Sequence, residues 1–523
     1  MKKIVAGLAA LAAILALAAL SLLRKEADTA PTEKLRARFA RKRPASVDHS
    51  RFPQLAQSFT QPQQVTEACI SCHNERHEEV MRSSHWNWER AEYIQGRGVR
   101  YVGKRNLLNN FCIGVAGSRK SCDTCHAGYG WGDEGFDFGD PRNVDCLACH
   151  DNTGAYLKAA GGAGNPDPTV DLGKVARHVG RPQRANCGGC HFFGGGGNNV
   201  KHGDLEQALL DTTRDVDVHM ASDGADMSCV DCHTASRHQM KGKLYSISSM
   251  NRDRVLCEDC HGETPHAATI LNEHTRKLAC QTCHIPSYAK VNSTKLRWDW
   301  STAGRLRDGK PYEEKDALGD ATYMSIKGSF RWGRNLRPEY AWFDGTATHY
   351  LIGDAVERTP VRINTLFGGY DDPDARIVPV KVHRARQPFD EEHKTLVQPK
   401  LAGSRAGDGA FWRDFDWQRS AREGMALVGL PYSGKLGFVE TEMVWPINHM
   451  VAPKGQAVAC VECHSRTGSR LAGLSGFYMP GRDRNRWVDG LGSLAIGLAL
   501  AGAGLHATAR IAVGRNGRGS SEP

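Results

Sequence analysis

Sixteen of the 17 cysteines belong to one repeated unit, Cys-x-x-Cys-His, which occurs eight times along the chain. The two thiols of such a unit can add across the vinyl groups of a haem, and the adjacent histidine can reach the iron as proximal ligand. A zinc site pairs two Cys-x-x-Cys units and does not require a histidine after each. Eight units that all end in histidine therefore predict eight covalently bound haem c groups. In chain order, as motif 1 to motif 8, the units are Cys69/Cys72/His73, Cys122/Cys125/His126, Cys146/Cys149/His150, Cys187/Cys190/His191, Cys229/Cys232/His233, Cys257/Cys260/His261, Cys280/Cys283/His284 and Cys460/Cys463/His464.

Every haem iron also has a distal position, opposite the proximal histidine. A haem with two histidines suits electron transfer because its coordination shell is already filled, whereas a reaction needs a displaceable ligand. Seven of the histidines outside the motifs lie at short distances from a motif along the chain, and we expect them to be distal ligands. Seven candidates for eight irons leave one iron without a histidine partner. These candidates are His85, His202, His219, His238, His266, His274 and His449.

The stretch CHFFGGGGNNVKHGD, residues 190–204, contains a candidate for the remaining iron. Adjacent residues of an extended loop point in opposite directions, so His202 can serve one haem while Lys201 approaches another. The glycines allow the backbone to pass close to a porphyrin without a side-chain collision. An amine binds iron only when it is deprotonated, so burial must lower the pKa of Lys201 if it is a ligand. The alternative is a lysine whose charge is solvated.

Cys112 is the one cysteine outside the motifs, and it lies ten residues before Cys122. A buried and inert thiol is the ordinary interpretation of such a residue. A reactive thiol beside a haem would instead suit sulfur chemistry. The thiolate is the reactive form, and it would need positive neighbours such as Lys201.

The motif spacing also predicts the fold. The segments between motifs 1 and 7 are too short to enclose each haem separately, so the haems must pack together and replace much of a hydrophobic core. We expect a mainly α fold with much irregular loop, in which packed haems form the core. The expected order is a seven-haem domain over 67–285, a haem-free insertion with aromatic cover over 286–447, and the segment of the eighth haem over 448–486. The insertion contains WDW, FRWG and YAWFDG but no nucleotide, zinc or nucleophile motif.

Both ends of the chain carry apolar runs. Residues 1–24 predict an export signal or an N-terminal anchor, followed by a flexible tether over 25–66. Residues 488–510 are long and apolar enough for a transmembrane helix, with a cytoplasmic tail over 511–523 that contains arginines. We therefore expect a protein anchored on the periplasmic side of the bacterial inner membrane.

The formal net charge of +10 does not include the cofactors. Eight haems bring sixteen propionates, and pairing with these groups would occupy many of the basic side chains. A nucleic-acid-binding protein needs a clustered basic face with aromatic residues between the charges, and the sequence has none. We therefore expect no nucleic-acid partner.

The motifs together resemble one known family. Eight Cys-x-x-Cys-His units, the loop CHFFGGGGNNVKHGD, LACQTCHIP (278–286) and WPINHMVAP (445–453) are similar to the octahaem tetrathionate reductase family of c-type cytochromes, over residues 67–470. The resemblance implies seven haems with two histidines and one, the second along the chain, with a distal lysine at the active site. It thus implies His126 as proximal ligand, Lys201 as distal ligand and catalytic residue, and Cys112 as a catalytic residue nearby. A C-terminal span is not part of the soluble family pattern.

These observations predict an exported oxidoreductase that reduces a small inorganic anion, with tetrathionate, nitrite and hydroxylamine as candidate substrates. The expected electron donor is a quinol-oxidising or cytochrome b-type membrane protein. One alternative is a pure electron conduit between the quinol pool and periplasmic acceptors, with Lys201 as a permanent ligand. Another is an octahaem hydroxylamine oxidase or nitrite reductase. The nitrite reductases often have lysine in place of a motif histidine, so eight histidines disfavour that arrangement.

Overall fold

The computed structural model describes residues 37, 47–133, 135–243 and 251–516. The predicted signal or anchor over 1–24, half of the predicted tether and residues 517–523 of the predicted tail lie outside the described residues. The chain divides into two compact units, the first ending at Val458 and the second beginning at Ala459.

Short helices carry the motifs. Residues three and four apart share one face of a helix, so a single helical turn presents both cysteines and the histidine of a motif to the same side. The helices are α1 (Pro62–Ile70), α2 (Arg76–Met81), α3 (Ser84–Asn87), α4 (Arg119–Cys122), α5 (Leu147–His150), α6 (Leu172–Arg177), α7 (Arg184–His191), α8 (Cys229–Cys232), α9 (Glu258–His261), α10 (Thr269–His274), α11 (Cys280–His284), α12 (Phe411–Asp414), α13 (Trp417–Leu427), α14 (Cys460–Cys463) and α15 (Arg486–Asn516).

Most strands lie in the segment between motifs 7 and 8. The strands are β1 (Arg90–Ile94), β2 (Gly98–Val102), β3 (Ala235–Ser236), β4 (Gln239–Met240), β5 (Thr294–Asp299), β6 (Glu313–Lys315), β7 (Ala321–Met324), β8 (Gly328–Gly333), β9 (Glu339–Phe343), β10 (Ala347–His349), β11 (Val361–Arg362), β12 (Asn364–Leu366), β13 (Arg376–Asp390), β14 (Thr395–Leu396) and β15 (Leu436–Pro446).

A nine-stranded sheet dominates this segment. Its strand order is β11-β15-β13-β5-β8-β7-β6, and β9 and β14 also pair with β13. The long strand β13 runs antiparallel to β15, with Val382 opposite Val444, and parallel to β5, with Ala385 opposite Trp298. Side chains alternate between the two faces of a strand, and the buried positions of β15 follow that period of two. Strand β13 is therefore the central support of the sheet.

The main hydrophobic core packs on this sheet. It includes the buried aromatic side chains of Trp298, Trp300, Phe330 and Trp445, and Cys112 contacts it from the side. A smaller cluster joins α1 and α6 through residues such as Val65 and Val175. A large hydrophobic cluster thus packs mainly on the segment that carries no haem motif.

The sheet corrects the expectation of a mainly α fold. The sequence predicts aromatic cover over 286–447 without strands, whereas WDW and FRWG lie in or directly after β5 and in β8 of the sheet. The physical reason is alternation: the aromatic side chains of these segments recur at every second position, and they fill one face of a sheet. Irregular loops with short helices do describe the seven-motif region.

The second unit contains α14, which carries motif 8, and the long helix α15. Within α15, the stretch Arg486–Ile511 is long and apolar enough to cross a membrane, and none of it is buried in the protein. Trp487 at its start is 80% exposed. Length and composition thus agree with the predicted membrane anchor.

Candidate active site and haem ligands

Motif histidines of the first unit lie opposite second histidines. Six of the seven have another imidazole ring at a centroid distance of 6.0–6.4 Å. The pairs, with the motif residue first, are His73 with His49, His150 with His238, His191 with His85, His233 with His449, His261 with His219, and His284 with His266.

This spacing fits a shared iron. A metal–imidazole bond is about 2 Å and the ring centroid lies about 1 Å behind the bonding nitrogen, so two axial imidazoles have centroids about 6 Å apart. Direct stacking of two rings would bring the centroids closer. The described chain therefore fits haem at six positions by a geometry that the motifs alone do not impose.

Several of these rings are also oriented by hydrogen bonds at Nδ1. His150 Nδ1 lies 2.8 Å from the Gly180 carbonyl oxygen, and His233 Nδ1 lies 3.0 Å from that of Lys241. For His238 and His449, a carboxylate oxygen lies at hydrogen-bond distance from Nδ1 instead of a carbonyl oxygen. An occupied Nδ1 fixes the tautomer and leaves Nε2 available for a metal.

One large cavity connects these histidines. It has a volume of about 3890 Å³ and is lined by residues of motifs 1 to 7. An ordinary ligand pocket has about 300–1,000 Å³, so this cavity has room for several cofactors. The described residues of the first unit thus enclose the space that packed haems require.

One cysteine of motif 7 is not part of the cavity lining. Cys280 and His284 line the cavity but Cys283 does not, although the sequence analysis expected both cysteines of every motif to bind haem. The Cys283 carbonyl oxygen accepts a hydrogen bond from the Val458 amide at 2.9 Å, so this residue lies where α11 packs against the segment before motif 8. Cys283 is half-buried, and attachment of haem to it stays a prediction.

Cysteines of different motifs also approach one another. Thiols of motifs 1 and 3, motifs 2 and 4, motifs 4 and 5, and motifs 6 and 7 are close enough to shift each other's pKa. Electrostatic interactions between cysteines join motifs 3 and 4 and motifs 5 and 6. Haems bonded to these cysteines would form a continuous series, 1-3-4-5-6-7, with motif 2 as a branch from motif 4.

Motif 2 is the exception to the histidine pairing. Among the described ring contacts, His126 lies against aromatic side chains and against no second histidine. Burial lowers the pKa of His126 to about 3, so its ring is neutral, as a metal ligand must be. Its Nε2 lies 2.7 Å from the Trp86 carbonyl oxygen, so binding iron through Nε2 requires the ring to turn away from that oxygen.

Lys201 lines the cavity on the loop that the sequence singled out. Its Nζ lies 4.4 Å from the ring centroid of Trp445. Burial, assisted by the charge of Lys104, lowers the pKa of Lys201 to about 7. The amine is therefore substantially neutral at neutral pH, which is the form that can donate electrons to a metal.

The glycines of this loop are required by close approaches. At Gly195, which has a φ of +80°, a Cβ would lie 3.0 Å from Val200 and 3.2 Å from Phe111. At Gly203, with a φ of +87°, a Cβ would lie 2.7 Å from the Tyr288 ring. The glycines thus bring the Lys201 loop against the segment that contains Cys112.

Strand β13 supports the Lys201 loop through hydrogen bonds. Lys381, which is fully buried, donates hydrogen bonds to the carbonyl oxygens of Val200 at 2.8 Å and Lys201 at 3.0 Å, and to the Thr294 hydroxyl at 2.6 Å. The same strand holds the Cys112 segment, because Gln387 Nε2 donates to the Asn109 carbonyl oxygen at 2.8 Å. One strand thus positions both candidate catalytic segments.

Cys112 lines the same cavity as Lys201 and lies in a tight turn closed by a hydrogen bond from Asn109 to Ile113. Burial raises the pKa of the Cys112 thiol, and the charges of Lys327, Lys295 and Lys104 act in the opposite direction. The structure therefore brings Lys201 and Cys112 to one cavity wall, next to motif 2.

The geometry adds one candidate distal ligand, His49, that the sequence did not indicate. His202 contacts the Trp445 ring at 4.8 Å and has no motif histidine among its described ring contacts. His49, which the sequence analysis left out, lies opposite His73 instead. The ring geometry therefore makes His49 a candidate haem ligand, and the role of His202 stays a prediction. Since His49 precedes all motifs and belongs to the predicted tether, spacing along the chain gave no signal for it.

Motif 8 lies in the second unit. The His464 Nδ1 lies 2.7 Å from the Pro480 carbonyl oxygen, which leaves Nε2 available. In the first unit, His274 Nδ1 lies 2.7 Å from the Ile270 carbonyl oxygen. The role of His274 as a distal ligand stays a prediction.

Comparisons with known proteins agree with these observations. A family of bacterial cytochromes c matches residues 295–467, and cytochrome c7 and related cytochromes c match residues 212–285. An uncharacterized protein of Archaeoglobus fulgidus is 26% identical over 230 residues, covering 33% of this chain and 74% of that protein. The crystal structure of octaheme cytochrome c from Shewanella oneidensis has a TM-score of 0.75 and 42% sequence identity, covering 81% of this chain and 95% of that chain.

The resemblance of the motifs is thereby confirmed, as is covalent attachment of haem c. Identity at this level over nearly the whole length of a solved relative shows a family and not only a fold. The chain belongs to the octahaem tetrathionate reductase family of multihaem c-type cytochromes.

Proposed function

We propose that this electron-transfer protein is an octahaem reductase whose reaction site is the haem of motif 2, with His126 as proximal and Lys201 as distal ligand. The observation that carries this proposal is the pairing: six of seven motif histidines in the first unit have an imidazole opposite them, and His126 has none among the described residues. The candidate amine, Lys201, lines the same cavity.

A displaceable ligand distinguishes a reaction site from an electron relay. Lys201 is a single amine on a glycine-rich loop. Several paired imidazoles, in contrast, are held in one orientation by a hydrogen bond at Nδ1. When bound, the eight haems supply one-electron transfers and together store several electrons. The residues around Lys201 then position a substrate, and small sulfur or nitrogen oxyanions fit a lysine-lined cavity because cations bind them by charge-assisted hydrogen bonds.

Low-temperature electron paramagnetic resonance of the oxidised protein tests the ligand assignment. In Lys201→Ala, all eight haems should remain attached and one should become high-spin, because that iron loses its distal ligand. Lys310→Ala is the control, since Lys310 is exposed and does not line the cavity; its spectrum should match the wild type. A Lys201→Ala spectrum identical to that of the wild type would refute the assignment.

We also propose that Cys112 takes part in turnover of sulfur substrates and not in folding. It is the one cysteine outside the haem motifs, and it lines the cavity next to motif 2. Cys112→Ser should keep the haem content and lose reduction of sulfur oxyanions such as tetrathionate, while reduction of nitrite or hydroxylamine persists. Equal loss of both activities, or loss of neither, contradicts this specific role.

A pure electron conduit is the competing function. It would have Lys201 as a permanent ligand and no reaction at motif 2. The wild-type protein, reduced with a dye, would then fail to reduce any of these substrates although its spectrum contained the lysine-ligated haem. This result would be consistent with the ligand assignment but would refute the proposed reductase activity.

We propose further that α15 anchors the protein in the inner membrane and docks it to a quinol-oxidising or cytochrome b-type donor. Support comes from its unburied apolar length, which would lose its exposure to water in a bilayer. Truncation before Trp487 should preserve haem content and dye-dependent activity but abolish quinol-dependent reduction. Wild-type rates of quinol-dependent reduction by the truncated protein in membranes would refute docking through this helix.

A further inference from the structure

The second unit combines motif 8 with the candidate membrane helix. Helix α14 carries both cysteines of the motif, and His464 follows it directly. His464 Nδ1 lies 2.7 Å from the Pro480 carbonyl oxygen, which orients the ring and leaves Nε2 for iron, so the motif fits a haem. Helix α15 begins at Arg486, a short distance along the chain. One compact unit thus carries a haem site and the proposed anchor.

Two arginines fold the segment between motif 8 and α15. Arg470 pairs with Glu462 of α14 at 2.7 Å. Arg482 donates hydrogen bonds to the carbonyl oxygens of Leu471 and Leu474, both at 2.9 Å. The two arginine side chains are only 9% and 8% exposed, so these contacts lie inside the segment. The connection is therefore folded structure and not a flexible linker.

Asn485 joins this segment to the start of α15. Its Oδ1 accepts the amide hydrogens of Trp487 and Val488, each at 3.1 Å. Its carbonyl oxygen accepts that of Asp489 at 2.8 Å. A side chain that accepts the first amides of a helix caps it and fixes where it begins. The helix therefore starts directly at the end of the folded segment.

An ion pair joins motif 8 to the first turn of α15. Arg466 Nη2 lies 3.0 Å from Asp489 Oδ2. Arg466 follows His464 by two residues, which span at most about 7 Å of chain. An ion pair on a surface exposed to water stabilises little. At the edge of a membrane the local dielectric constant is lower, so the same attraction is stronger.

The length of α15 would place this ion pair at the membrane surface. The stretch Arg486–Ile511 has 26 residues and therefore measures about 39 Å. Because the hydrocarbon core of a bilayer is about 30 Å thick, roughly one turn at each end lies among the lipid headgroups. Trp487 is 80% exposed in the first turn, and tryptophan prefers this interface. Asp489 and Arg466 would then lie at the headgroup level.

Motif 8 also follows motif 7 through a short connection. The Val458 amide donates to the Cys283 carbonyl oxygen at 2.9 Å, and Cys460 follows Val458 by two residues. The chain therefore leads from a backbone contact with motif 7 directly into motif 8. Since motif 7 is one end of the series 1-3-4-5-6-7, this connection adds motif 8 at that end.

We propose that the haem of motif 8 receives the electrons from the membrane donor, and that Arg466 holds this haem site at the membrane surface through Asp489. This role rests on the proposed anchoring by α15 and adds the haem at which electrons enter. Oxidation of a quinol to a quinone in the donor releases two electrons and two protons. The electrons pass one at a time to the ferric iron bound by His464 and on to motif 7, and the protons enter the solvent.

Motif 1 is the competing entry point, because it lies at the other end of the series. In that case α15 is a passive anchor, and neither the position of motif 8 nor its haem affects the supply of electrons. Displacing motif 8 from the membrane and removing its haem distinguish the two entry points.

Relaxation of a spin-labelled lipid measures the nearness of motif 8 to the bilayer without electron transfer. The oxidised holoprotein is placed in phosphatidylcholine vesicles that contain a phospholipid with a nitroxide headgroup, since a nearby ferric haem speeds nitroxide relaxation. A 15-residue Gly/Ser linker between Asn485 and Arg486 separates motif 8 from the helix by about 20 Å and should remove the enhancement. The same linker between Asn516 and Gly517, beyond the span, is the matched control and should keep it.

Reduction of the haems by duroquinol in membranes of the producing cells tests entry itself. No oxyanion is added, so the result does not depend on the proposed reductase. The linker after Asn485 should slow the appearance of ferrous haem about tenfold, because the local concentration of motif 8 at the donor falls with linker length. Without the haem of motif 8, in Cys460→Ser/Cys463→Ser, duroquinol should not reduce the other seven haems, whereas dithionite should.

Arg466→Glu separates positioning from anchoring. The rate of reduction by duroquinol should fall about threefold, as loss of a surface ion pair predicts, while haem content and membrane retention stay unchanged. Arg466→Glu/Asp489→Arg reverses the pair and should restore the rate. Arg484→Glu is the control, because Arg484 is exposed and forms no ion pair among the described residues; its rate should match the wild type. A wild-type rate in Arg466→Glu overturns the role of Arg466.

Equal nitroxide relaxation in the two linker variants overturns the entry point, as does reduction by duroquinol at the wild-type rate without the haem of motif 8. If the Cys460→Ser/Cys463→Ser protein does not accumulate, the two linker variants decide alone. Loss of the wild-type protein from vesicles at high pH refutes the anchor and the entry point together. If the variants behave as expected but the wild-type protein reduces no oxyanion, the entry point stands without the reductase.

Discussion

The seven-motif region and the sheet region of the first unit use different kinds of core. In the seven-motif region, cysteines and histidines line a cavity of about 3890 Å³, and the hydrophobic clusters between the helices are small. In the sheet region, stacked indole rings such as those of Trp298 and Trp300, 4.9 Å apart, fill a continuous interior. The first region needs its cofactors in order to be compact, and the second supplies its own packing.

The difference explains where the candidate reaction site lies. A site must hold its residues rigidly, and a region whose core is cofactor has few side chains with which to do so. The loops of Cys112 and Lys201 belong to the seven-motif region, but Gln387 and Lys381 of β13 hold them in place. The candidate site therefore lies where loops of the seven-motif region contact the sheet.

Preventing haem attachment should have the largest effect, and it should affect the seven-motif region more than the sheet region. Protein made in cells without c-type haem maturation should lose amide protection across α7, α8 and α11, because the cavity then has no filling. Strands β5, β13 and β15 should keep slow exchange. Hydrogen exchange followed by mass spectrometry gives both answers in one sample, and equal loss of protection in the two regions would show that the sheet also depends on haem.

Trp298→Ala should have the next largest effect, confined to the sheet. The side chain is fully buried, and removing a buried aromatic ring costs about 3–5 kcal/mol of the free energy of unfolding. Denaturant-dependent amide exchange in β5 measures the loss, while haem absorbance should stay unchanged at low denaturant. Trp487→Ala, at an exposed position, is the control and should change nothing; a comparable loss there would disprove the packing argument.

Lys381→Met tests the contact between the two regions. Methionine keeps most of the volume but removes three hydrogen bonds, of which one or two should remain uncompensated at about 1.5–3 kcal/mol each. We expect part of the lysine-ligated haem to become high-spin while the paired-histidine signals persist. Lys290→Met is the matched control because its Nζ donates to two carbonyl oxygens elsewhere, at 3.0 and 2.9 Å. An equal spectral change in both variants would deny Lys381 a specific role.

Asp390→Asn should have the smallest effect and a defined pH dependence. Burial raises the pKa of Asp390, but hydrogen bonds from Ser433 and His393 outweigh it and leave the pKa below its usual value. A carboxylate with a lowered folded pKa stabilises the protein above the unfolded pKa, about 3.9, and loses that contribution as the pH falls through the folded value. The variant should therefore be less stable by about 1–2 kcal/mol at pH 7. This difference should shrink below about pH 4, and a constant difference down to pH 2 would contradict it.

Proximal ligands could be predicted from the sequence because haem attachment is local chemistry, contained in five consecutive residues. Distal ligands could not, because their pairing is a property of the fold. His238 follows motif 5 closely, yet its ring lies opposite His150 of motif 3. Nearness along the chain thus identified His238 as a candidate but gave no partner for it.

The sheet could not be predicted from the sequence for a similar reason. The short aromatic segments around Trp298 and Phe330 pair with each other, and the strand of Trp298 pairs on its other edge with β13, far along the chain. Lys381 on that strand gave no signal at all, since a lysine in an alternating segment ordinarily faces solvent. Its burial follows from the carbonyl oxygens of the Lys201 loop, which only the folded chain places within reach.

Carboxylates lie behind two imidazoles that pair with motif histidines, and with haem bound between these rings they would set a gradient of reduction potential. Asp204 Oδ2 lies 3.1 Å from His449 Nδ1, and Glu79 Oε2 lies 2.8 Å from His238 Nδ1. A carboxylate makes an imidazole more electron-rich and so lowers the reduction potential of its iron. These two histidines lie opposite motifs 5 and 3, the neighbours of motif 4, from which motif 2 branches. Electrons should therefore move from the haems of motifs 3 and 5 towards the haem of motif 4. In redox titrations, Asp204→Asn and Glu79→Gln should each raise the reduction potential of one haem.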